Sequence, residues 1–168
     1  MSIYIDVGFY AGVALKKYQD EGIVDDSWTV YAFEANPQLK VPKWVSRKAA
    51  WIKDGKVTLL ISGREDSASV QGTSGHTTPQ KVKVPSIDFS KFVAKLPDVY
   101  TICSMDIEGA EFRVLKKMLK DKTIDKINLL DIEFHHRLMK DYDSEDAKKL
   151  VKQIRYRGVK VKLKVGLV

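Results

Sequence analysis

The order of apolar segments predicts an α/β protein, a doubly wound and mostly parallel sheet with helices on both faces, in a single domain over residues 1–168. Three observations predict it. Short strand-like runs alternate with helix-like runs along most of the chain. A glycine turn, Gly8 to Gly12, joins the first strand to the first helix. Acidic residues recur where apolar runs end, at Asp6, Glu34, Asp106 and Glu133; open α/β sheets bind their ligands beyond such strand ends.

Ile3 to Val7 reads as the first strand, Val13 to Asp20 as a helix that stops near Gly22, and Trp28 to Phe33 as the second strand. Asn36-Pro37 opens a turn, and Pro42 prevents a long helix there. Ala49 to Ile52 and Val57 to Ile61 flank Lys53-Asp54-Gly55, a pattern that predicts a hairpin. Arg64 to Thr78 is rich in Ser, Thr and Gly and is expected at the surface, where acceptor specificity would reside. Lys81 to Val84 alternates like a strand, and Ser86 to Lys95 reads as a short helix capped by Ser86 or Asp88. Val99 to Met105 is apolar enough for a buried parallel strand. Ala110 to Leu119 carries Phe112, Leu115 and Leu119 at helical spacing, and Ile127 to Phe134 is a further strand. Ser144 to Arg157 is a basic amphipathic helix with Ala147, Leu150, Val151 and Ile154 on one stripe, closed by Gly158. In the last strand Val159, Val161, Leu163 and Val165 alternate with Lys160, Lys162 and Lys164, as on a sheet edge where lysines discourage foreign pairing.

Composition narrows the classes. No run approaches the roughly 18 apolar residues of a membrane helix, so no membrane partner is expected. The start, MSIYIDVGFY, has neither the basic stretch nor the cleavage site of a signal peptide. Cys103 is the single cysteine, which excludes an internal disulfide and fits a reducing, cytoplasmic setting. The net charge of +7 admits a polyanionic partner, although solvated lysine faces produce the same balance.

Three constellations carry chemistry. The first is Asp6-x-Gly8-x-x-x-Gly12 with Glu34. Glycines there permit a sharp turn and close approach to a ligand, and an acid at the end of the next strand can accept both hydroxyls of a ribose. The spacing departs from GxGxxG and no GK[ST] follows, which weakens the dinucleotide and P-loop readings. The second is Met105-Asp106-Ile107-Glu108-Gly109-Ala110-Glu111, where a buried strand gives way to a helix. Glu111 reads as an acid favouring the helix dipole, whereas Asp106 should reach the cleft. The third is Asp131-Ile132-Glu133-Phe134-His135-His136. Alternation puts Asp131, Glu133 and His135 on one face, and His135 is the candidate base for an acceptor hydroxyl. The plainer reading is a polar strand end with solvated histidines. No HxxxH, HExxH or cysteine cluster points to zinc. A divalent cation on Asp106, Glu108, Glu133 or His135 is possible, but no metal is assigned.

Together these constellations resemble the FkbM family of S-adenosylmethionine-dependent methyltransferases. The resemblance rests on IDVGFYAG, VYAFEANP, KAAWIKDGKVTLLIS, VPSIDF, CSMDIEGAEFRVLKKML and LLDIEFHH, from residue 5 to 136. It implies a three-layer Rossmann-like class I fold with an antiparallel strand near the C-terminus. It implies S-adenosylmethionine over the strand ends, with Asp6, Gly8, Tyr10 and Gly12 toward its methionine end. Glu34 would hold the ribose, Ala35, Ala50 and Trp51 would lie near the adenine, and Asp106 and Glu108 would line the cleft with Glu133 and His135 beside them. The chain opens directly on its first strand and has one strong strand after its last helix. A minimal domain is therefore expected, its site open or covered by another subunit. The leading expectation is O-methylation of a sugar or other small hydroxyl-bearing acceptor. The basic stretch from Lys148 to Lys164 motivates an alternative nucleic-acid or nucleotide acceptor, and a non-catalytic cofactor-binding domain is the third reading.

Overall fold

Strand β1 (Ser2–Val7) runs through the centre of the molecule, and from Ile3 onward every one of its residues is buried. It pairs in parallel with β2 (Trp28–Phe33) on one side and β7 (Thr101–Met105) on the other. β8 (Leu129–Ile132) and β9 (Lys160–Leu163) continue the sheet, so its order is β2-β1-β7-β8-β9. The computed structural model of the chain describes residues 1–61, 68–70, 80–136 and 140–164.

Burial on both sides explains why the central strands read as unbroken apolar runs. On one face Tyr4, Ala32 and Ile102 meet helix α1 (Val13–Asp20) through its buried Leu15 and Tyr18. On the other, Ile3, Ile5, Cys103 and Leu130 join the core formed with α2 (Phe89–Ala94), α3 (Glu111–Lys120) and α4 (Ser144–Tyr156). The stripe Ala147, Leu150, Val151 and Ile154 is the buried side of α4, and a capping box between Asp143 and Asp146 starts that helix. Three layers result, as the alternation requires.

A second sheet, in the order β3-β6-β4-β5, is built from β3 (Ala49–Trp51), β4 (Gly55–Ile61), β5 (Ala68–Ser69) and β6 (Gln80–Asp88). Here the hairpin expected around Lys53-Asp54-Gly55 does not form. The chain turns there, but β6 lies between β3 and β4, parallel to the first and antiparallel to the second. β6 gives partners to all 7 residues of β4, where a 3-residue β3 would satisfy fewer than half. The same pairing corrects the helix expected from Ser86. Ser86, Ile87 and Asp88 complete the ladder with β3, and the helix starts at Phe89 with Asp88 accepting a hydrogen bond from the Lys91 N–H.

The antiparallel strand expected near the C-terminus is also corrected. β9 pairs with β8 in parallel, and among the described residues all five strands of the main sheet run the same way. One helix between two neighbouring strands returns the chain to the end where it began, which makes them parallel. Reversal needs a further strand and a tight turn. The segment Arg64 to Thr78 lies outside the described residues except for 68–70.

Candidate functional site

Backbone geometry builds the first wall of the site. Gly8 has φ 90, and a Cβ there would stand 1.8 Å from the Asp106 carbonyl oxygen, so only glycine lets β1 leave the sheet against the end of β7. Gly12 (φ 73) turns into α1 against the Phe9 ring, and Tyr10 also adopts a left-handed conformation. Glu34, 7 % exposed at the end of β2, locks this turn. One carboxylate oxygen accepts the Tyr10 N–H and the other the Asn36 N–H, both at 2.8 Å.

A cavity of about 340 Å³ opens beyond these strand ends, within the usual range of small-ligand sites. Of the residues singled out in the sequence, Gly8, Tyr10, Glu34, Ala35, Ala50, Asp106, Glu108, Glu133 and His135 line it. Asp6, Gly12 and Trp51 stand outside its wall. Asp6 is 1 % exposed beneath the site, and Trp51 belongs to the core. His136 also lies outside the lining. Asp131 turns under α1, where it accepts a hydrogen bond from the Tyr18 hydroxyl at 2.9 Å. Sequence reasoning missed the apolar wall of Leu59, Ala68 and Val70, which the second sheet supplies. A hydrogen bond from Ser69 Oγ to the Glu108 carbonyl ties that sheet to the acid loop.

Glu111 stands in the first turn of α3, as expected, but it is fully buried and does more than favour the helix dipole. Its carboxylate accepts the N–H groups of Ile107 and Gly109 and meets His135 Nδ1 at 3.0 Å. The sequence signal was the turn itself: Glu108 (φ 54) and Gly109 (φ 100) leave the helical path and free N–H groups that need an acceptor. The other ring nitrogen, Nε2, faces Asp106 Oδ1 at 3.6 Å, Glu133 Oε1 at 3.7 Å and Glu108 Oε1 at 3.8 Å.

These contacts decide where protons sit. Burial opposes a charge on His135, but the hydrogen bond and charge of Glu111, with the fields of Glu108 and Asp106, outweigh it and raise its pKa to about 9. Burial pushes Glu108 up to about 7; the His135 charge opposes that rise, and Asp106, Glu111 and Glu133 add to it. Both shifts act in one direction: they favour a proton on His135 at neutral pH and bring Glu108 toward its titration range. Asp106, Glu108 and His135 also bring one ligand atom each within 4.8 Å of one another.

A family model described as the methyltransferase FkbM domain matches residues 6–160. Neither a curated protein nor a solved structure matches the chain.

Proposed function

The chain belongs to the FkbM methyltransferase family, and on that premise we propose that it binds S-adenosylmethionine in this cavity and methylates a hydroxyl of a sugar or other small acceptor. The observation that carries the reading is the cradle itself. Gly8 has no room for a side chain, Glu34 stands at the neighbouring strand end, and the cavity between them runs to a proton-holding cluster. Those residues fit the cofactor. Glu34 keeps lone pairs for ribose hydroxyls, Ala35 and Ala50 give a flat apolar wall for adenine, and Asp106 beside Gly8 suits a cationic methionine end. Bound there, the cofactor supplies an electrophilic methyl group on a sulfonium.

The chain's own part is orientation and proton transfer. Glu108 accepts the proton of the acceptor hydroxyl. His135, held through Nδ1 by Glu111, keeps its charge next to the newly shared proton and fixes the carboxylates around Nε2. Glu133 and Asp106 shape the space where the hydroxyl lies. Of the basic C-terminal residues, Lys148 is paired with Glu145 and Arg157 with Asp125, which leaves less positive charge for a nucleic-acid acceptor than the sequence suggests. The test is calorimetry with S-adenosylhomocysteine on the intact chain. Saturable binding and a raised thermal midpoint are expected; no heat at millimolar ligand rejects the reading. Turnover on a panel of sugars and short oligonucleotides then separates the acceptor classes from each other and from a domain that binds without turnover.

A further inference from the structure

We propose that Lys164, just beyond the last strand, belongs to this site: its ammonium is the fixed counter-charge for the carboxylates of Asp106 and Asp6. Three alternating lysines, Lys160, Lys162 and Lys164, read from the sequence as guards of a sheet edge. Register gives them different work. Lys162 is the cross-strand partner of Asp131 and lies over the Tyr18 ring, 5.5 Å from its centre. The Lys164 N–H donates to the Ile132 carbonyl at 2.8 Å and the Glu133 N–H to the Met105 carbonyl at 3.1 Å, so the parallel ladder continues one step past the named strands. That step puts Lys164 beside Glu133 and Asp106, both of which line the cavity.

Its side chain is 27 % exposed, and Nζ stands 3.8 Å from Asp106 Oδ2. Lys160 and Lys162, by contrast, both stay exposed. Behind Asp106 lies Asp6, whose Oδ2 is buried without a hydrogen-bond partner among the described residues. A carboxylate so placed loses its charge unless a cation is near. Burial raises Asp6 to about 7; Lys164 is the chief influence holding it down, and Asp106 and Glu34 push it further up. The other groups coupled to Asp6 are the Tyr4 hydroxyl and the Cys103 thiol, both raised by their burial and so neutral. Lys164 is thus the cation that serves both acids. It acts through them as a positioning residue, and its bearing on methyl transfer rests on the cofactor reading; the charge pairing does not.

The test follows the carboxyl carbon of Asp6 by NMR across a pH titration of the full chain without cofactor. Lys164→Met should raise its midpoint, while Lys164→Arg and Lys162→Met leave it in place. A midpoint unmoved in Lys164→Met overturns the proposal. Should that variant fail to fold, the wild-type Lys164 Cε resonance must shift in step with the Asp6 carboxyl, and a flat profile overturns it equally. With S-adenosylhomocysteine, the acid limb of binding should move upward with Asp6 in Lys164→Met; a limb that stays fixed while the Asp6 midpoint moves confines the pairing to stability and overturns its place in the site. Failure of the wild type to bind this ligand refutes the cofactor reading and leaves the carboxyl titrations as the independent measure of the pairing.

Discussion

At the glycine-turn end of the cavity one carboxylate, Glu34, is fixed by two backbone N–H groups, and the turn it fixes has no room for a side chain at Gly8. At the other end four carboxylates, Asp106, Glu108, Glu111 and Glu133, surround one imidazole. The first end is shaped by backbone geometry and steric exclusion. The second is shaped by charge, so its arrangement depends on how many protons it holds. On the proposed function, a nucleoside would be gripped at the first end and a proton moved at the second.

The largest effect should come from the glycine-turn end. Gly8→Ala places a methyl on the Asp106 carbonyl at positive φ and should cost on the order of 4 kcal/mol. Chemical denaturation checks it; a variant as stable as the wild type would break the steric account of this end. At the charged end, His135→Ala and Glu108→Gln should each lower turnover by roughly 10²–10⁴-fold with little change in cofactor affinity. Full turnover in either would remove that residue from the proton path. Glu34→Ala should weaken S-adenosylhomocysteine binding and also destabilise the fold by about 1–3 kcal/mol, because the Tyr10 and Asn36 N–H groups lose their acceptor. Loss of stability without loss of affinity would make Glu34 a purely structural clamp.

The contrast between the ends also has a pH signature. Asp6 and Glu108 sit near 7, above 3.8 and 4.5, and His135 near 9, above 6.5. In each the folded value exceeds the unfolded one, so the folded chain holds extra protons and its stability falls as pH rises. The His135 contribution is complete below 6.5 and is lost as pH passes through 9; those of Asp6 and Glu108 are lost through 7. The thermal midpoint of the ligand-free protein should drop by a few degrees from pH 5 to pH 9, and Glu108→Gln should flatten the lower half of that fall. A midpoint that climbs over this range contradicts the charge account. The smallest effects are expected from His136→Ala and from chelators, both leaving turnover almost unchanged. Activity lost to a chelator and restored by magnesium or manganese would hand the cluster of Asp106, Glu108 and His135 to a cation.

Local chemistry made much of this legible from the sequence alone. Residues buried on both faces of a sheet must be apolar, so β1 and β7 announced themselves as unbroken runs. A turn needing positive φ calls for glycine, so Gly8 and Gly12 marked the strand end, and Glu34 followed one strand later. The stripe on α4 and the capping role of Asp88 were readable because each depends on neighbours within a few residues. What tertiary structure alone decided depends on partners far along the chain. The β3–β4 hairpin lost to the longer ladder of β6, and β9 joined in parallel because the single helix before it returns the chain to the same end. Glu111 read only as a helix-dipole acid until the loop ahead of it turned its N–H groups inward, and the carboxylates around His135 came together only in the fold. Lys164 looked like an edge guard until register carried it to Asp106. Propensity and periodicity act through the bonds between neighbours, whereas pairing, burial and charge act through space, and only the folded chain sets those distances.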